Sequence, residues 1–248
     1  MEQPIRVVMI GAHNDECEYG LGGVTRLLTD RGCRVKYINT SGLWHKAAGP
    51  AQEKTTWQQQ ENAAAQILGA DKVVLGDRDR SICEDGEAVI LQLERLLLEE
   101  MPDIVFLHYP RDNHLEHRIS AKSAYAAICL AAVHGAHIRE VYAFEAGPNQ
   151  TSDYFHPDFA INVTDVMPQV RQSLMLFDQP TAKGSGLWRE KEIQAQYRGH
   201  IVSFPYAECF KIVKYPNGND DFLLRQLLRE QFRWYGNGMY PANGEWYF

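Results

Sequence analysis

Two short polar segments, well separated along the chain, carry residues of the kinds that bind and use a divalent metal: His13-Asn14-Asp15-Glu16 and Asp112-Asn113-His114-Leu115-Glu116-His117. Imidazole mixed with carboxylate suits zinc or another borderline divalent metal better than calcium, which takes oxygen ligands alone. A catalytic zinc typically keeps three protein ligands and one position for water, and His13, Glu16 and His117 can fill those three. Asp15 neighbours a ligand and is placed to accept the proton of the water as general base. His114 and His117 are three apart, so one helical turn sets them on the same side. His114, oriented or kept protonated by Glu116 or Asp112, is suited to stabilise an oxyanion and to give a proton to a leaving amine. The chemistry expected of this set is metal-assisted hydrolysis.

Each segment follows an apolar run of strand length. The first run, 5–12, leads straight into His13, and a glycine-rich stretch at 20–23 then precedes a helix expected over 24–31 with Gly32 as its cap. A strand at 34–39, a loop at 41–51, a helix at 52–68 stopped by Gly69, a strand at 72–75 and a helix at 86–99 come next. A strand at 104–108 leads into the second segment, a helix covers 117–134 and a strand 140–145. This alternation predicts an α/β domain, Rossmann-like, with three layers α/β/α and a mostly parallel sheet. Ligands of such folds gather at the carboxyl ends of the strands, where His13, Asp79 and 108–117 all fall. The last part is less regular: a short strand at 159–164, helices at 166–177 and 189–200, and a helical pattern at 222–234 carrying Leu223, Leu224, Leu227 and Leu228. One domain over 1–248 is expected, with 215–248 an extra C-terminal segment. Its aromatic tail reads as packing over a second copy or over its own core, and a homo-oligomer is the expectation.

The formal charge of -7 and the absence of a Lys/Arg block argue against a nucleic-acid partner. No apolar stretch approaches the roughly 20 residues of a membrane span, and the N-terminal residues lack a signal-peptide layout, so a soluble protein is expected. The five cysteines are scattered and unpaired by spacing, which predicts reduced thiols in a cytoplasmic compartment and no cysteine zinc site.

With these residues in view, the chain resembles the LmbE-like, or PIG-L, family of metal-dependent N-acetylglucosamine deacetylases. Ala12-His13-Asn14-Asp15-Glu16 stands where that family shows Ala-His-Pro-Asp-Asp, and Asp112 through Arg118 is similar to its Asp-x-His-x-Asp-His-Arg motif. Weaker echoes at 75–79, 162–164 and 199–210 extend the likeness over 5–212. The resemblance implies His13, Glu16 and His117 as zinc ligands, Asp15 as base, and His114 with its carboxylate partner Glu116 facing the tetrahedral intermediate. It implies Arg78 and Tyr206 as substrate-binding residues, with Glu208 a weaker position nearby. The substrate implied is a small N-acetylated sugar or conjugate. Three departures stand out: Glu16 and Glu116 are each one methylene longer than the family's aspartate, and Asn14 replaces a proline. The extra methylene of Glu16 has to be absorbed by a backbone shift or a different bite on the metal.

Outside the motifs, His108 ends a strand near the site and is a candidate for supporting it, while Trp44, His45 and Trp57 are candidates for lining an entrance. The lengthened carboxylates also motivate an alternative, a non-catalytic carbohydrate-binding protein on the same scaffold. A metal hydrolase of a different amide or ester fits the same ligand set.

Overall fold

In the computed structural model, residues 3–41, 51–76, 82, 86–147, 155–177, 186–214 and 222–235 are described, with the backbone alone at 51–57. The strands are β1 (Arg6–Gly11), β2 (Arg34–Asn39), β3 (Asp71–Val74), β4 (Ile104–His108), β5 (Glu140–Phe144), β6 (Phe159–Asn162), β7 (Ala207–Lys214) and β8 (Phe232–Trp234). Between them lie α1 (Glu16–Thr29), α2 (Ala51–Ile67), α3 (Gly86–Glu100), α4 (Leu115–Val133), α5 (Met167–Leu174), α6 (Leu187–Ile201) and the short α7 (Leu223–Leu227).

A strand apolar at every position has to be covered on both faces. Val7 and Met9 of β1 enter one buried cluster together with Phe106 of β4, while Val8, Ile10, Val105 and Leu107 enter another on the opposite face. Leu21, Val24 and Leu28 of α1 and Val170 and Leu174 of α5 cover the first face. Leu93 and Leu97 of α3 cover the second, with the alanines at 121, 124, 127 and 131 of α4, whose small side chains allow close approach. The result is the three-layer α/β/α arrangement expected. The strand order is β3-β2-β1-β4-β5-β7-β6-β8; neighbours are parallel from β3 to β5 and antiparallel from β5 to β8. No described helix is long and apolar enough to cross a membrane.

Two elements differ from expectation. Helix α1 begins at Glu16 and runs through the glycines expected to precede it. These glycines serve packing: a Cβ on Gly20 would lie 2.4 Å from Phe144 Cδ2, and one on Gly23 2.5 Å from Val163 Cγ1. The pattern at 222–234 splits into α7 and β8. Pairing of β8 with β6 puts the Phe232 ring on Phe159 at 4.9 Å and the Trp234 ring beside Phe222 at 5.8 Å. This cross-strand aromatic packing outweighs the local leucine periodicity.

The glycine stripe makes a differential prediction. Gly23→Ala forces Val163 and its backbone to move and is expected to cost about 1–3 kcal/mol. At Gly22, an added Cβ comes no closer than 3.3 Å to Val170 Cγ1, so Gly22→Ala should stay within about 1 kcal/mol of wild type. Urea melts of the two variants decide; equal costs would show that close packing of α1 is not what the glycines serve.

Candidate active site

The topology brings the two polar segments together. From β1 the chain proceeds to β2 on one side, while β4 lies on the other, so the connections leaving β1 and β4 diverge and open a crevice at their carboxyl ends. Residues 12–16 leave β1 there, and 108–117 end β4 and begin α4.

The centre of the crevice is Glu16, buried in the first turn of α1. Its Oε2 accepts from the backbone N–H of Ala12 at 2.7 Å and of His13 at 2.9 Å, and lies 2.6 Å from His108 Nε2. Its Oε1 lies 2.7 Å from His13 Nδ1 and against His117 Nε2. The added methylene is thus taken up by the side chain folding back on the end of β1. Burial pushes the Glu16 carboxyl up, but His117, His108 and His13 outweigh it and hold it well below the usual range. Burial would lower His13, yet Glu16 and Glu116 raise it to about 11. His117 goes the same way: burial lowers it, and Glu16 and Asp112 raise it to about 9.

The donor set fits a divalent metal. His13, His114 and His117 form one group whose ligand atoms all lie within 4.8 Å of one another, and Glu16, His108 and His117 form another. His117 is common to both. Its Nε2 is buried and, although it faces Glu16, makes no hydrogen bond among the described residues. Asp112 Oδ2, 2.9 Å from His117 Nδ1, fixes the other ring nitrogen as donor and leaves Nε2 for a ligand bond.

The remaining candidates take specific places. Asp15 is half-buried at the N-cap of α1 and makes no capping bond with its side chain, so the carboxylate is not engaged by the helix. Burial and Glu16 raise its pKa against the opposing pull of His13 and Lys72. The backbone N–H of His114 donates to Asp112 Oδ1 at 2.7 Å, and its ring stands edge-on to His13 at 5.0 Å. Burial and the neighbouring His117 and His13 lower its pKa, which favours the neutral ring. The Glu116 carboxylate, the acid expected beside His114, contacts His13 Nε2, and the buried Nδ1 of His114 makes no hydrogen bond among the described residues. Asn14, in place of proline, is held by its side-chain N–H to Glu61 Oε1 at 2.8 Å and by Lys72 on its carbonyl.

Tyr206 lies just before β7, where Gln196 donates to its hydroxyl at 3.3 Å and its N–H meets Thr164 Oγ1. Glu208 accepts from Gly23 and Val24 N–H and pairs with buried Lys191 at 2.6 Å, a structural task. Arg78, Asp79, Trp44, His45 and the side chain of Trp57 lie outside the described residues. Three contributors had no assigned role in the sequence reading: Asn39, which donates to the His13 carbonyl, and Lys72 and Glu61, which hold Asn14. Asn39 carried the clearest signal, as a polar residue ending a buried strand beside β1.

Comparison with known proteins follows the same lines. Residues 8–128 match the PIG-L family model, described as GlcNAc-PI de-N-acetylase. The diacetylchitobiose deacetylase of Thermococcus kodakarensis is 23% identical over 221 residues, covering 84% of this chain and 83% of that one. The 4-carboxy-2-hydroxymuconate hydratase of Pseudomonas putida KT2440 superposes with a TM-score of 0.71 at 20% identity, over 88% of this chain and 99% of that one. The N,N'-diacetylchitobiose deacetylase of Pyrococcus horikoshii does so at 0.68 and 21%, over 84% and 83%. At these identities the superpositions establish the fold.

The raised histidines predict proton release on metal binding. At neutral pH His13 and His117 hold protons that a metal has to displace, so zinc affinity should rise about tenfold per pH unit for each proton displaced. Titration calorimetry in buffers of different ionisation enthalpy measures this directly. An affinity independent of pH would remove these histidines from the ligand set.

Proposed function

We propose that this chain, a member of the PIG-L/LmbE-like family through residues 8–128, is a zinc-dependent hydrolase that removes the acetyl group from an N-acetylated amino sugar or sugar conjugate. The observation that carries the reading is the convergence of buried Glu16, His13 and His117 in one crevice, with Asp15 and His114 beside them. The fold alone does not select the chemistry, since a relative with the same fold is a hydratase. The donor set and the sequence likeness to a diacetylchitobiose deacetylase favour amide hydrolysis.

His13, Glu16 and His117 would hold the metal, with Asp112 orienting His117. Bound zinc supplies Lewis acidity, polarising the amide carbonyl and making water a nucleophile near neutral pH. Asp15, whose carboxyl is raised by burial but keeps no capping bond, takes the proton from the attacking water and returns it to the departing amine. His114, as a neutral ring, donates a hydrogen bond to the oxyanion as the carbonyl becomes tetrahedral. Glu116 steadies His13 from its far side. Arg78 and Tyr206 are assigned to the substrate, the assembly to a homo-oligomer, and the protein to the cytoplasm as one domain.

Zinc-loaded protein is expected to release acetate from members of a panel of N-acetylated sugars and their conjugates; silence across the panel would sink the deacetylase reading. Asp15→Asn should lower turnover by about a hundredfold or more while zinc content stays at the wild-type level. Full turnover in that variant would take Asp15 out of the base role. His114→Ala is expected to lower kcat by about a hundred- to a thousandfold with little change in zinc content.

A further inference from the structure

We infer that His108 is a positioning residue that fixes the bite of Glu16 on the metal, and that it is what lets a glutamate stand at this ligand position. The inference rests on the metal site proposed above. A glutamate has one more torsion than the aspartate expected from the resemblance, so its carboxylate needs an additional restraint to present a single oxygen.

The restraint follows from the tautomer of His108. The ring is fully buried at the end of β4, and its Nδ1 makes no hydrogen bond among the described residues. A proton on Nδ1 would therefore be an orphaned buried donor, a rare and costly arrangement, whereas an unprotonated nitrogen there is better tolerated. With the proton on Nε2, the ring donates to Glu16 Oε2 at 2.6 Å. The Ala12 N–H, 2.9 Å from His108 Nε2, then has Glu16 Oε2 at 2.7 Å as its acceptor. Ala12, His13 and His108 together saturate Oε2, which leaves Oε1, facing His13 and His117, as the ligand oxygen.

The same assignment removes His108 from the ligand set. A protonated Nε2 has no lone pair for a metal, so the grouping of Glu16, His108 and His117 marks a support and two ligands. Packing holds the ring in this orientation: it stacks on His117 with centroids 4.4 Å apart and planes 6° apart, and lies 4.6 Å from the Phe144 ring. One side chain thus orients two ligands, Glu16 by a hydrogen bond and His117 by stacking.

The test uses His108→Phe, which keeps an aromatic ring against His117 and removes the donor, and His108→Gln, which restores an N–H. Each is made in the wild-type and the Glu16→Asp backgrounds. Zinc affinity is measured by chelator competition and ligand geometry by the absorption bands of the cobalt-loaded protein, with thermal melts reporting the fold. His108→Phe is expected to weaken zinc binding by about ten- to a hundredfold and to shift the cobalt bands, and His108→Gln to recover most of the loss. In the Glu16→Asp background the shorter carboxylate does not reach His108, so the same change should cost no more than about twofold. If His108→Phe does not fold, His108→Met takes its place as an apolar residue without a donor.

Wild-type affinity and cobalt bands in the donorless variant would overturn the inference while leaving the metal site intact. Equal losses in both backgrounds, or a His108→Gln variant as weak as His108→Phe, would overturn it too, the latter in favour of His108 as a ligand. Failure of the wild-type protein to bind zinc would overturn the metal site, and this inference with it.

Discussion

A carboxylate taken out of water has to be met by donors or by positive charge, and at Glu16 that requirement organises the crevice. They come from separate elements: backbone N–H groups at the end of β1 and the His108 ring from β4 as donors, and the His117 ring from α4 as positive charge. Because Glu16 itself belongs to α1, its charge ties two strands and two helices at one point. The same contacts that satisfy the buried acid hold His13 and His117 with their ring nitrogens converging, so satisfying the charge and shaping the site are one event.

That point lies where it does because of the sheet. The order β3-β2-β1-β4-β5 sends the connections from β1 and β4 apart, which opens a crevice between the two helices that follow them. Helix α1 is held against the sheet further along by its glycine faces and by Glu208, which accepts the N–H groups of Gly23 and Val24 within the helix and is balanced by buried Lys191. A side chain inserted into the helical ladder in this way fixes the path of α1. The direction in which its first turn presents Asp15 and Glu16 is therefore set by contacts made two turns away.

How much of this was legible in the sequence depended on range. Strands β1 and β4 could be read to within a residue or so because runs apolar on both faces have few alternatives to a central strand, and β2 because its β-branched and aromatic Val35, Tyr37 and Ile38 stand between turn signals. The start of α1 could not, since four residues with three glycines weaken the local helix signal; the close approach they permit was legible, but not that Phe144 and Val163 make it against a helix already begun at Glu16. Strand β8 failed for the same reason: its pairing with β6 is a long-range contact that leucine spacing does not report. In the site, residue types and their gathering at strand ends were legible, while partnership was not. Side-chain direction decides that Asp112 meets the His117 ring and that Glu116 reaches His13, and a sequence motif does not specify direction.

The two lengthened acids acquire a joint meaning from their placement. Glu16 lies on Nδ1 of His13 and Glu116 on Nε2, so the ring is gripped from both sides, and the charge of this grip is what drives its pKa to about 11. His117, between Glu16 and Asp112, is raised in the same way to about 9. Near neutral pH the two rings together therefore carry two positive charges among their carboxylates. A divalent cation that displaces both protons leaves the net charge of the crevice unchanged, whereas a monovalent ion would leave it one unit more negative and a trivalent ion one unit more positive. In a buried site, where each uncompensated charge is costly, a doubly charged metal in the place of two protons would preserve that balance.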